Sequence, residues 1–186
     1  IANKATLQTV FGLKPDCDES FFRELPTGFT ARNGDFEITS FRTSHDCAES
    51  VGYIIKTEGG NIGVVTDLGQ YDGNTVAAVS SCRLVFIEAN HDEDMLWNGK
   101  YPYPLKRRIG GVFGHLSNEQ CGKLLAESGE NVEFAVLSHL SKENNYEALA
   151  YETVCSEVTL GDNPYRSKDF QIQVAKRDSI SDVVVL

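Results

Sequence analysis

No stretch of this 186-residue chain approaches the roughly 18 consecutive apolar residues that a membrane-crossing helix needs, and no charged-then-apolar leader opens it. A soluble globular protein without a membrane partner is therefore expected. Positive charge is also short. Lysine and arginine number 17 against 27 acids, a formal charge of -10, which argues against broad adhesion to nucleic acid or anionic lipid but leaves room for one local basic patch. Cysteine is scarce and unpaired in pattern: five residues, an odd number, with no C-x-x-C. That excludes a structural zinc knuckle and a disulfide frame, and points to free thiols in a reducing, cytoplasmic compartment. Internal repeats, low-complexity tracts and linkers are all missing, so residues 1–186 read as a single domain, with enough apolar residues (41%) for one core.

What is present is a series of apolar runs that stop abruptly at polar residues. Ile62 to Thr66 ends at Asp67 and Arg83 to Ile87 ends at Glu88, the way a buried strand delivers a charged group to the rim of a sheet. Val132 to Ser138 ends at His139, and Asp35 to Thr43 is followed by His45. Two hairpins are expected first, one turning at Asn33-Gly34 with both residues at positive φ, the other at Glu58 to Asn61. Helices are expected over Ala2 to Phe11, Tyr71 to Ser80 and Asn144 to Val158, with short ones between His91 and Ile109 interrupted at Pro102 and Pro104. Ser117 and Gln120 have the spacing of a capping box, opening a further helix that Gly129 stops. Phe170 to Ala175 alternates as a last strand. The order predicts an α/β fold, a mixed sheet covered by helices, with polar groups collected at strand ends.

Imidazole and carboxylate are ligands that zinc and manganese accept, and His45, Asp67 and His139 sit at strand ends that can converge on one ion. Each also has a plainer reading, as a hydrogen-bonded loop histidine or an acid bracing a turn. Glu88 and His115 form a second candidate pair, a carboxylate holding an imidazole in the tautomer that donates a proton; alternatively Glu88 is a strand-end acid paired with Arg or Lys. His91, inside N-H-D-E-D, reads as solvated surface, and Cys47 as a small buried residue. The local basic patch is Lys100, Lys106, Arg107 and Arg108, either a phosphate contact or a solvated helix face.

Taken together, F-R-T-S-H-D-C at Phe41 to Cys47, T-D-L-G at Thr66 to Gly69, I-E-A-N-H-D at Ile87 to Asp92, G-H-L-S-N at Gly114 to Asn118 and L-S-H-L-S-K-E-N-N at Leu137 to Asn145 closely resemble the WalJ/YycJ branch of the metallo-β-lactamase-fold hydrolases. The resemblance implies a four-layer αββα sandwich and a site for two divalent metal ions, zinc or manganese. It implies His45, Asp67 and His139 as metal ligands, with Asp67 bridging. Glu88 and His115 would be a proton relay to the leaving oxygen, and Lys106, Arg107, Ser117 and Asn118 the substrate contacts. The implied substrate is DNA or another phosphodiester, with a nuclease-like, exonuclease type of hydrolysis.

The resemblance has one departure. The family's chief metal motif, H-x-H-x-D-H, is absent, and four histidines cannot supply it in addition to His45, His115 and His139. The expectation is an N-terminally incomplete domain, the C-terminal portion of the sandwich, with an incomplete ligand set, exposed apolar sheet surface and little activity by itself. Two other functions fit the same residues: hydrolysis of a small-molecule ester or cyclic phosphodiester, and a non-catalytic interaction domain that has lost the metal motif.

Overall fold

The computed structural model describes residues 1–186. Helix α1 (Lys4–Leu13) is capped by Asn3, whose side chain accepts from the Thr6 N–H. Two hairpins follow: β1 (Thr30–Asn33) with β2 (Phe36–Arg42), and β3 (Val51–Thr57) with β4 (Gly60–Val65). Both turns differ from expectation. Asn33 pairs with Phe36, so the central residues of the first turn are Gly34 and Asp35, and of these only Gly34 has positive φ (61°). The second turn is only Glu58-Gly59, because Gly60, at φ 124°, already pairs with Thr57.

Then come α2 (Gly73–Ser80), β5 (Leu84–Glu88), α3 (Glu93–Asn98), α4 (Tyr103–Ile109), α5 (Asn118–Ser128), β6 (Phe134–Ser138), α6 (Glu147–Leu160) and β7 (Gln171–Val174). Pro104 does not interrupt α4; it occupies the first turn, where its missing N–H has no intrahelical partner to lose. The capping box of α5 forms as expected: the Ser117 Oγ accepts from the Gln120 N–H, and the Gln120 side chain accepts from the Ser117 N–H.

All seven strands make one sheet in sequence order, β1 to β7, antiparallel through β4 and parallel from β4 to β7. Val65, Val85, Ile87, Ala135 and Leu137 on one face pack against Val79 of α2, Leu124 and Leu125 of α5 and Val154 and Val158 of α6. Alternation sends Tyr53, Ile55, Ile62, Val64, Phe86 and Phe134 to the opposite face, where all six remain half-buried. The chain thus forms one sheet with a helical layer, and no second sheet faces it. No helix is long and apolar enough to cross a membrane.

This topology creates a single functional rim. Strands β4, β5 and β6 are parallel, so their C-terminal ends lie side by side, with Val65, Ile87 and Leu137 in register. Strand β2 is antiparallel to β3, which is antiparallel to β4, so β2 also ends at that rim. Residues following β2, β4, β5 and β6 are thus brought together from positions nearly a hundred residues apart.

Candidate metal centre

Asp67 lies at the middle of this rim. Its Oδ1 is 3.7 Å from Nε2 of His45, 3.8 Å from Nε2 of His139 and 3.8 Å from Nδ1 of His115. The imidazole of His115 sits between the other two, its ring centroid 4.8 Å from that of His45 and 5.2 Å from that of His139. Asp67 and His139 are also the only non-glycine residues with positive φ, both at 58°. A left-handed backbone at such residues costs on the order of 1–3 kcal/mol and persists where surrounding bonds impose it. Here the Ser50 hydroxyl donates to the Asp67 carbonyl, and the Asn90 side chain donates to the His139 carbonyl.

Beneath them, Glu88 is fully buried. Its Oε1 accepts from Nδ1 of His115 at 2.7 Å and from Nδ1 of His139 at 2.6 Å, while Oε2 accepts from the Leu68 N–H at 3.0 Å. An ionised carboxylate can only accept, so with Glu88 in that form both Nδ1 atoms carry their hydrogen toward it, as the Leu68 N–H does. Burial pushes the Glu88 carboxyl upward, but the bonds from His115 and His139 outweigh it and hold the acid below its usual range. The same bond to Glu88 raises His139, against the opposing effect of burial.

Nδ1 is engaged in each of the three imidazoles. In His45 it faces the Gly114 carbonyl at 2.8 Å, which can only accept, so this ring carries its hydrogen on Nδ1. When neutral, its Nε2 lone pair then points toward the Asp67 carboxylate at 3.7 Å. Two electron-rich atoms face each other across a gap the size of a cation's coordination sphere, and His139 presents Nε2 to the same oxygen. Imidazoles tethered through Nδ1 to a carbonyl or carboxylate are the usual form of metal-ligating histidine. The Asp67 carboxylate and the Nε2 atoms of His45 and His139 are thus donors of the kind a divalent cation accepts. Asp67, Glu88, His115 and His139 also lie close enough to form a four-residue donor cluster, but the Nδ1 atoms of both histidines are already committed to Glu88.

The loops are held by close backbone approach. The Gly69 N–H donates to the Ser44 carbonyl at 2.8 Å, and a Cβ at Gly69 would collide with the backbone of Gly111 and Gly114. Gly69→Ala is expected to reduce stability by about 2 kcal/mol, read from the urea midpoint, because both obstacles are main chain and one of them, Gly114, adjoins His115.

Other expected site residues are placed differently. Ser117 and Asn118 are buried; Ser117 caps α5, and Asn118 exchanges hydrogen bonds with Asn145, which in turn donates to the Ala89 and Asn90 carbonyls. Both brace the loops behind the site. The basic patch does not act as one unit. The Lys106 ammonium donates to the Trp97 carbonyl and Arg108 pairs with Asp46, while Arg107 is exposed. Cys47 is exposed rather than buried.

His91 is likewise not surface: it is 2% exposed, and its Nδ1 has no hydrogen-bond partner. Burial lowers it to about 4. Below pH ~6.5 the unfolded chain takes up a proton that the folded one refuses, so this group reduces stability as pH falls from ~6.5 and levels off below ~4. The full loss is about 3 kcal/mol at ~1.36 kcal/mol per pH unit. In urea titrations across that range, His91→Leu should flatten this part of the stability profile; an unchanged slope would mean that another group titrates.

No family model matches the chain. It is 33% identical over 164 residues to the exodeoxyribonuclease WalJ of Streptococcus pneumoniae, an alignment covering 87% of this chain and 61% of that protein. To the exodeoxyribonuclease YycJ of Bacillus anthracis it is 34% identical over 122 residues, 65% of this chain and 46% of that one. The chain thus spans about three fifths or less of these relatives. Among solved structures, the metallo-β-lactamase fold protein YhfI of Bacillus subtilis superposes with a TM-score of 0.62 at 15% identity, covering 94% of this chain and 60% of that one.

Proposed function

We propose that the chain belongs to the WalJ/YycJ-type branch of the metallo-β-lactamase-fold proteins, and that it carries the leaving-group half of the active site of a metal-dependent phosphodiesterase, a DNA exonuclease. The observation that carries this reading is the meeting of His45, Asp67 and His139 around one carboxylate oxygen, beside an imidazole tethered to a buried acid.

In this reading His45, Asp67 and His139 would hold divalent metal, zinc or manganese, with a second ion completed by residues of the whole protein. When bound, the metal stabilises charge on the attacked phosphoryl group and acidifies the attacking water. The chain's own residues do the rest. Glu88 fixes the rings of His115 and His139 and compensates positive charge on them. His115, with Nδ1 tied to Glu88, carries the proton on Nε2 that the departing alkoxide takes. Lys100 and Arg107, exposed and without ion-pair partners, remain for the phosphate backbone. The five free cysteines suit a reducing, cytoplasmic compartment.

The test has two parts. Stripped of metal with EDTA, this chain should bind zinc in a calorimetric titration, and His45→Ala, Asp67→Ala and His139→Ala should each abolish or sharply weaken that binding. The complete protein should degrade a single-stranded oligodeoxynucleotide only when metal is restored. The charge of -10 favours a second reading, a small ester or cyclic phosphodiester as substrate. Hydrolysis of such a compound, with DNA affinity that does not respond to salt, would decide for it.

A further inference from the structure

One cavity adjoins the site on the His139 side. It has a volume of about 720 Å³, well within the ~300–1,000 Å³ of ligand pockets, and lies beyond the C-terminal ends of β6 and β7. One wall is the segment from His139 to Ala148, which includes the start of α6; the other is Ala175 to Asp178. Lys142, Lys176 and Arg177 line it, against two acids, Glu147 and Asp178. In a protein with ten more acids than bases, this local excess of positive charge runs against the composition.

One of these cations is anchored beside the site. Arg177 donates to the carbonyl of Leu140, the residue after His139. Lys176 approaches an acid, the exposed Asp182, only at 3.9 Å, and Lys142 has no ion-pair partner. Tyr146, 56% exposed, stands at the head of α6, which no side chain caps. The cavity therefore offers ammonium and guanidinium groups to a phosphate and an open aromatic face to a base, and it shares His139 with the site.

We propose that this cavity is a nucleotide subsite, holding the phosphate and base of the nucleotide that adjoins the scissile linkage. The proposal rests on the phosphodiesterase reading above and names the subsite that reading leaves open. Its volume exceeds what an isolated phosphate needs, and an exposed ring has no role toward a bare anion. Stacking on Tyr146 would be tolerant of base identity, as a non-specific exonuclease requires.

The experiment uses the metal-free chain in EDTA, where cleavage cannot interfere, and follows binding of a short fluorescent oligothymidylate by anisotropy at several salt concentrations. Lys142→Ala with Lys176→Ala should weaken binding about tenfold and reduce the salt slope by about 1.4, two contacts at about 0.7 each. Tyr146→Ala should weaken it about tenfold with the slope unchanged, and Tyr146→Phe should restore it. All three side chains are exposed, so circular dichroism should show an intact fold. If the wild-type chain binds and these variants bind equally well, or only Lys106→Ala with Arg107→Ala loses binding, the subsite assignment is overturned while the phosphodiesterase reading stands. If the wild-type chain binds no oligonucleotide at all, the subsite assignment falls, and the phosphodiesterase reading is decided separately by metal-dependent cleavage with the complete protein.

Discussion

Replacing Glu88 by alanine should destabilise the chain by on the order of 3 kcal/mol and weaken its zinc affinity by about 10–100-fold, although Glu88 itself touches no metal in the arrangement inferred here. The side chain is fully buried and holds three donors at once: the Leu68 N–H and the Nδ1 atoms of His115 and His139. Truncation leaves a cavity and orphans all three. Glu88→Gln should recover little, because its amide puts a donor where every neighbour already donates. Urea unfolding measures the first loss and calorimetric zinc titration the second. A variant with wild-type metal affinity would show that His139 does not depend on Glu88 for its orientation.

The same residue shapes the pH profile. The Glu88 carboxyl is depressed in the fold, so its contribution is complete above the unfolded value near 4.3 and is lost as pH falls through the folded one. His139 is raised, so its contribution is complete below ~6.5 and is lost as pH rises through its folded value. Removing Glu88 should therefore flatten the acid limb below ~4.3 and the neutral limb above ~6.5, while the fall between ~6.5 and ~4 assigned to His91 remains.

Much of this centre is legible in the chain because its residues end strongly patterned strands. Asp67, Glu88 and His139 each terminate an apolar run, and parallel pairing makes one rim of those ends. The bond from His139 to Glu88 is not legible, since it depends on the register that sets Glu88 opposite Ser138, one residue before His139. Local polarity misleads at His91. Its acidic neighbours suggest surface, yet the residue bridges to Ser117 and is covered by the loops that meet there. Ser117 and Asn118 mislead for a related reason: serine and asparagine next to a candidate catalytic histidine resemble substrate contacts, but a helix start beside two strand ends needs buried polar groups to satisfy its backbone. The turn at Gly34-Asp35 departs because cross-strand pairing extends to Asn33, so one glycine at positive φ is enough.

His115→Ala in the complete protein should separate chemistry from metal uptake, reducing kcat by about 10²–10⁴-fold while zinc affinity changes by less than about threefold. The asymmetry follows from which atoms are already committed. Both His115 and His139 give Nδ1 to the same Glu88 oxygen, but only His139 turns Nε2 toward Asp67; the His115 atom nearest that carboxylate is the one bonded to Glu88. In the proposed arrangement a metal at Asp67 would have His45 and His139 as partners, which leaves the free nitrogen of His115 for a proton. Its side chain is 20% exposed, enough to meet a departing oxygen without being freely solvated. The rate loss should be greatest for a substrate with a poor leaving group and nearly vanish for a nitrophenyl phosphodiester, whose leaving oxygen needs no proton. Equal losses on the two substrates, or a fall in metal affinity matching the fall in rate, would make His115 a ligand and leave the protonation of the leaving group to another residue.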